Sequence, residues 1–199
     1  MVDPNEITRY EADIQVNGAT IGSVIDGMES FGNLGLIILA EFGLADLEKS
    51  TSTWYSQELW LKAFNRIADV VGDEALFKIG QKIPENAEFP PNMKGIVNGL
   101  RSIDVAYHIN HMNVKGEILY DDNRDPKMLS GIGNYILVED KVTDHSAIMR
   151  CQNPYPCDFD RGIILTIARK FASPQAEVTH MQGSCRKLGH DTCNYFVKW

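Results

Sequence analysis

Gly133-Asn134-Tyr135-Ile136-Leu137-Val138-Glu139-Asp140 is a run of β-branched and aromatic residues opened by a glycine, and it reads as a strand. It decides the fold because everything upstream of Asn113 keeps a different period. Met93, Ile96, Val97, Leu100, Ile103, Asp104, Tyr107 and His108 recur at helical spacing and predict a helix reaching about His111. Farther back, 50–54 supplies N-caps for a helix through Trp60, Leu61, Phe64, Ile67 and Val71 that ends at Gly72, and Asp73 caps a shorter one running to Ile83. Two more helical segments lie between Thr20 and Leu44. Downstream of the strand, 145–151 pairs with it across a turn at 141–144, a helix covers 159–171, and two last strands cover 176–182 and 194–199. Glu117-Ile118-Leu119-Tyr120 reads as a further short strand. The order is an N-terminal helical half followed by a mainly antiparallel sheet with one crossing helix, an α+β fold.

The chain has 199 residues, enough for one domain with a sizeable core. Its 44% apolar and 23% charged residues mark a globular protein. A net charge of −8 argues against a nucleic-acid partner, which needs clustered Lys and Arg to displace counterions. The longest apolar stretch, Leu34 to Phe42, is broken by Gly35 and Glu41 and is too short to span a membrane. The opening residues lack the basic and apolar regions of a secretory signal, so a cytoplasmic location is expected.

The four cysteines all lie beyond residue 150, as Cys151-x₅-Cys157 and Cys185-x₇-Cys193. In a reducing compartment paired thiols point to a metal, with zinc as the expected ion and an iron–sulfur cluster as the alternative. Buried free thiols and disulfides are the other readings. If Cys157 opens the helix that follows it, the free N–H groups there would favour its thiolate, and His180 or His190 would be the base in a catalytic variant of the site. A closed thiolate cage leaves substrate no open position, so the structural role is preferred. His108 and His111 fall three apart, a spacing that allows joint metal or haem contact on one helical face, with Asp104 one turn before His108. Phe31, Trp60, Phe64, Tyr107 and His108 are the expected lining of an apolar ligand pocket, to which interleaved glycines such as Gly35 and Gly99 would lend space unless they serve close helix packing. Common dinucleotide, P-loop, nucleophile-elbow and zincin motifs are absent.

Gly-Ser-Cys185-x₇-Cys193, a cysteine ahead of a helix, and the aromatic final run Asn194-Tyr195-Phe196-Val197 resemble the 4-vinyl-reductase domain family, a group of ligand-binding sensor domains that includes those of phenol-responsive activators. The resemblance implies a single ligand-binding domain over 14–199 behind an N-terminal extension of 1–13, and a zinc beside the pocket held by Cys157, Cys185 and Cys193. The position of the family's glutamate ligand holds Gln182, which leaves Cys151 as the fourth ligand with His180 behind it. The expected function is a sensor for a small apolar or aromatic molecule. The alternatives are an enzyme acting on a small heterocycle or tetrapyrrole through Cys157 or a bound metal, a haem or iron–sulfur redox or gas sensor using His108 or His111, and a homodimeric interaction module.

Overall fold

The computed structural model describes residues 14–199, so the expected extension over 1–13 lies outside the described residues. The chain divides into two compact units, one of the residues up to Gly72 with Val105–Ile132, the other of Asp73–Asp104 with Gly133–Trp199.

In the first unit, strand β1 (Ile14–Asn17) is the centre of a three-stranded antiparallel sheet, flanked by β2 (Trp54–Ser56) and β3 (His111–Asn113). Val16 is opposite Tyr55 on one side and His111 on the other. Buried Asn17 turns the chain from β1 into helix α1 (Gly18–Gly27): its Oδ1 accepts the Thr20 N–H at 2.9 Å, and its amide donates to Asn110 Oδ1 at 2.7 Å. Helix α2 (Leu34–Glu41) lies close on α1, since a Cβ at Gly35 would stand 2.9 Å from Ile25 Cδ1. Helix α3 (Gln57–Glu85) is interrupted at Gly72, whose φ of 76° is a left-handed value that favours glycine. Its first half buries Trp60 and Phe64, one turn apart, with rings stacked at 5.1 Å.

Helix α4 (Ile96–Ile109) ends earlier than its sequence period implies. His111 is a strand residue paired with Val16 and not the last residue of the helix. The strand expected over 117–120 is reduced to two isolated bridges, Met112 with Ile118 and Tyr120 with Met128. Turn chemistry outweighs strand propensity there: Asn113 Oδ1 accepts the N–H groups of Lys115 and Glu117, and the Arg124 guanidinium donates to the carbonyls of Ile118, Pro126 and Lys127.

The second unit is built on a four-stranded antiparallel sheet in the order β4-β5-β7-β6, where β4 is Asn134–Lys141, β5 Ser146–Gln152, β6 Glu177–His180 and β7 Cys193–Lys198. Met149, Cys151, Cys193, Tyr195 and Val197 alternate onto its buried face. Helix α5 (Cys157–Phe171) contributes Ile164 and Ala168 to the core. It crosses the second half of α3 nearly backbone to backbone, because a Cβ on Gly80 would meet Phe159 O at 2.1 Å and one on Gly162 would meet Phe77 O at 2.2 Å. Gly99 is likewise covered by the Phe171 ring. The fold is thus α+β: helices dominate the N-terminal half around a small three-stranded sheet that the sequence period does not reveal, and a four-stranded antiparallel sheet with one crossing helix follows.

Candidate functional site

Strand β7 brings Cys193 up at its first residue, and α5 offers Cys157 at its own first residue, directly after Pro156. Between β6 and β7 the chain makes a knuckle: Cys185 O accepts the N–H groups of Leu188 at 3.0 Å and His190 at 3.2 Å, and Gly189 takes the left-handed turn at φ 81°. The ring of His190 accepts the Cys185 N–H through Nδ1 at 3.2 Å, so this histidine shapes the knuckle. His180 ends β6 opposite Tyr195. The result is one cluster in which single ligand atoms of Cys157, His180, Cys185 and Cys193 all lie within 4.8 Å of one another.

One of the two sulfur separations matches a tetrahedral ion and the other is shorter. Zn–S bonds of about 2.3 Å place sulfurs about 3.8 Å apart; Cys157 and Cys185 are separated by 3.9 Å, and Cys157 and Cys193 have closed to 3.1 Å. All four cysteines are free of disulfides. The His180 Nε2 atom is buried without a hydrogen-bond partner, as a ligand nitrogen awaiting a cation would be. Cys151 sits opposite Cys193 in the sheet register but is outside the cluster. Burial, then the Asp160 carboxylate, raises its thiol well above the ordinary value, so it is held as a neutral core side chain.

The position of Cys157 at a helix N-terminus suggests a depressed thiol, and the structure shows the opposite. Sharing its proton with Cys193, and then burial, raise Cys157, while the same bond, with Arg186 donating besides, lowers Cys193. The two thiols share a proton, and the Arg186 donors favour negative charge on Cys193.

A second group of residues lies in the first unit. His111 is 1% exposed and its Nδ1 lies 2.6 Å from Tyr107 O, an arrangement that fixes the proton on Nδ1 and leaves Nε2 buried with no hydrogen-bond partner. Burial pushes its pKa down to about 4 despite the Tyr107 carbonyl, so the ring is neutral. His108 is fully buried in the last turn of α4, and the Tyr107 ring stands edge-on to both imidazoles at centroid distances of 5.5 and 4.8 Å. The Tyr107 hydroxyl donates to Ile132 O at 2.7 Å. Of the expected pocket lining, Trp60, Phe64, Tyr107 and His108 are buried, whereas Phe31 lies on an exposed 3-10 turn. The glycines weighed for pocket space, Gly35 and Gly99, are taken up by close packing against Ile25 and Phe171. The buried Arg186–Asp160 pair beside the knuckle has no motif in the sequence that signals it.

No protein-family model matches the chain, and no curated protein matches it in sequence. Solved structures do resemble it. An H-NOX protein from S. oneidensis in the Fe(II)NO ligation state matches at a TM-score of 0.58 and 14% identity, over 92% of this chain and 98% of that one. A point mutant of T. tengcongensis H-NOX matches at 0.61 and 16%, over 92% and 96%. A structure from a study of haem distortion in the H-NOX family matches at 0.60 and 17%, over 91% and 94%. The likeness shows the fold, and it corrects the resemblance to the 4-vinyl-reductase family. That resemblance is firm only over 151–199, on the cysteine spacing and the aromatic final strand, with short glycine-containing matches in the helical half, whereas the H-NOX likeness in three dimensions runs over 92% of the chain. Among the described residues no helix is long and apolar enough to cross a membrane.

Proposed function

We propose that this chain is a haem-binding sensor of a small diatomic gas, in which His111 would hold the haem iron. The observation that carries the reading is the His111 ring: neutral, buried, with its Nδ1 proton engaged by Tyr107 O and its Nε2 lone pair unused. An imidazole oriented from behind by a carbonyl is the usual state of an iron or zinc ligand. The fold supports it, since the neighbouring structures are described in terms of haem distortion, NO ligation and an oxygen complex. Bound haem supplies an iron on which such a gas can dock. The protein's part is to hold the ring, to keep it unprotonated by burial, and to limit water through the apolar side chains of the first unit.

Protein produced with haem in supply should show an intense Soret band. His111→Gly should lose it and regain it with added imidazole, while His108→Ala keeps it. A colourless wild-type protein that also fails to take up haemin would overturn the reading, and transfer of these effects to His108→Ala would reassign the ligand.

The cysteine cluster favours a second, separate component, a structural zinc held by Cys157, Cys185, Cys193 and His180. Elemental analysis should find about one zinc per chain. Cys151→Ala should keep it and Cys157→Ser or His180→Ala should weaken it; loss of zinc in Cys151→Ala alone would restore Cys151 as the fourth ligand.

A further inference from the structure

Three thiolates and one neutral imidazole around a divalent cation carry a net charge of −1. Asp160, fully buried on α5, adds a second negative charge nearby. Arg186 stands between them. Its terminal nitrogens donate to Asp160 Oδ2 and to both the backbone and side-chain oxygens of Asn153, its Nε lies 3.5 Å from Cys193 Sγ, and its backbone N–H reaches the same sulfur at 3.3 Å. The Tyr135 hydroxyl donates to the other oxygen, Oδ1, at 2.7 Å, and the Asn153 amide donates to Oδ2 beside Arg186 at 3.3 Å, which fixes the carboxylate and through it the guanidinium. Only 13% of the Arg186 side chain is exposed, so the ion pair is screened little by solvent.

We propose that Arg186 is the positioning residue of the metal centre, a forked donor that clamps the Cys193 sulfur and neutralises the excess charge of the thiolates. The inference rests on the zinc reading. A lysine would supply the cation without the planar fork that meets a sulfur, a carboxylate and a carbonyl at once. N–H···S bonds draw electron density from a thiolate, so the two from Arg186 weaken the donation of the Cys193 sulfur to a bound cation.

Cobalt(II) substitution of the full chain tests the proposal, because sulfur-to-cobalt charge-transfer bands report donation from the thiolates. Arg186→Gln should move these bands to lower energy and release cobalt to a chelator about tenfold faster, in the range set by outer-shell partners of metal ligands. Arg186→Lys, which keeps the charge, should fall between the two and carries the test if Arg186→Gln does not fold. A folded variant with the wild-type spectrum and release rate overturns the role of Arg186. Failure of the wild-type protein to bind cobalt or zinc overturns the metal reading itself, and this inference with it.

Discussion

A buried imidazole must stay neutral, and at His111 this ties stability to pH. Its pKa falls from the ordinary 6.5 to about 4 because burial removes the water that would solvate the cation. The unfolded chain therefore takes up a proton at a pH where the folded chain does not. The stabilising contribution is complete above 6.5 and is lost as pH falls from 6.5 towards 4. In the haem-free protein the loss between pH 7.5 and 5 should be about 2 kcal/mol, read as a shift in urea midpoint. His111→Gln should flatten that dependence; an unchanged slope would show that other groups cause it. The residues themselves were partly legible in sequence. All four cysteines stand out by spacing, which leaves open whether Cys151 or His180 is the fourth member, and the strand pairing places His180 and not Cys151 in the cluster.

At the scale of elements, the crossing of α3 and α5 sets where Cys157 is presented. Gly80 and Gly162 each face backbone of the opposite helix at a distance no Cβ tolerates, and the Thr166 hydroxyl adds a bond to Gln81 O at 3.1 Å. Neither contact involves a side chain that can swing away. Gly162→Ala should therefore destabilise the fold by about 3 kcal/mol, the upper part of the range for overpacking, measured by urea unfolding; a cost below about 1 kcal/mol would mean the helices part easily. The helical period announced α3, α5 and the break at Gly72 because burial of one face dictates which residues repeat. The same period overran the end of α4, since His108 and His111 are both buried and periodicity alone cannot separate a buried last turn from a buried first strand residue.

For the molecule as a whole, the two candidate centres lie in different compact units, the imidazole group in the one containing Val105–Ile132 and the thiol cluster in the one containing Gly133–Trp199. Zinc removal should therefore act on the second unit first. Hydrogen exchange after chelation should quicken in β6, β7 and the first turn of α5, with β1 and β3 unchanged; a uniform response in both sheets would contradict a local structural role.

The amino-acid sequence by itself determined the class of fold, the long helices and the strands of the four-stranded sheet, because these depend on the period of burial that each segment carries locally; the short strands of the first sheet carry too few residues for a period to show. Tertiary structure decided the rest. The pairing of β6 with β7 brought His180 to the thiols, burial in the sheet left Cys151 a neutral thiol, the pairing of β3 with β1 withdrew His111 from its helix, and the Arg186–Asp160 pair emerged where α5 and the knuckle meet. Each is a contact between distant segments, fixed by register and packing that no stretch of sequence holds alone.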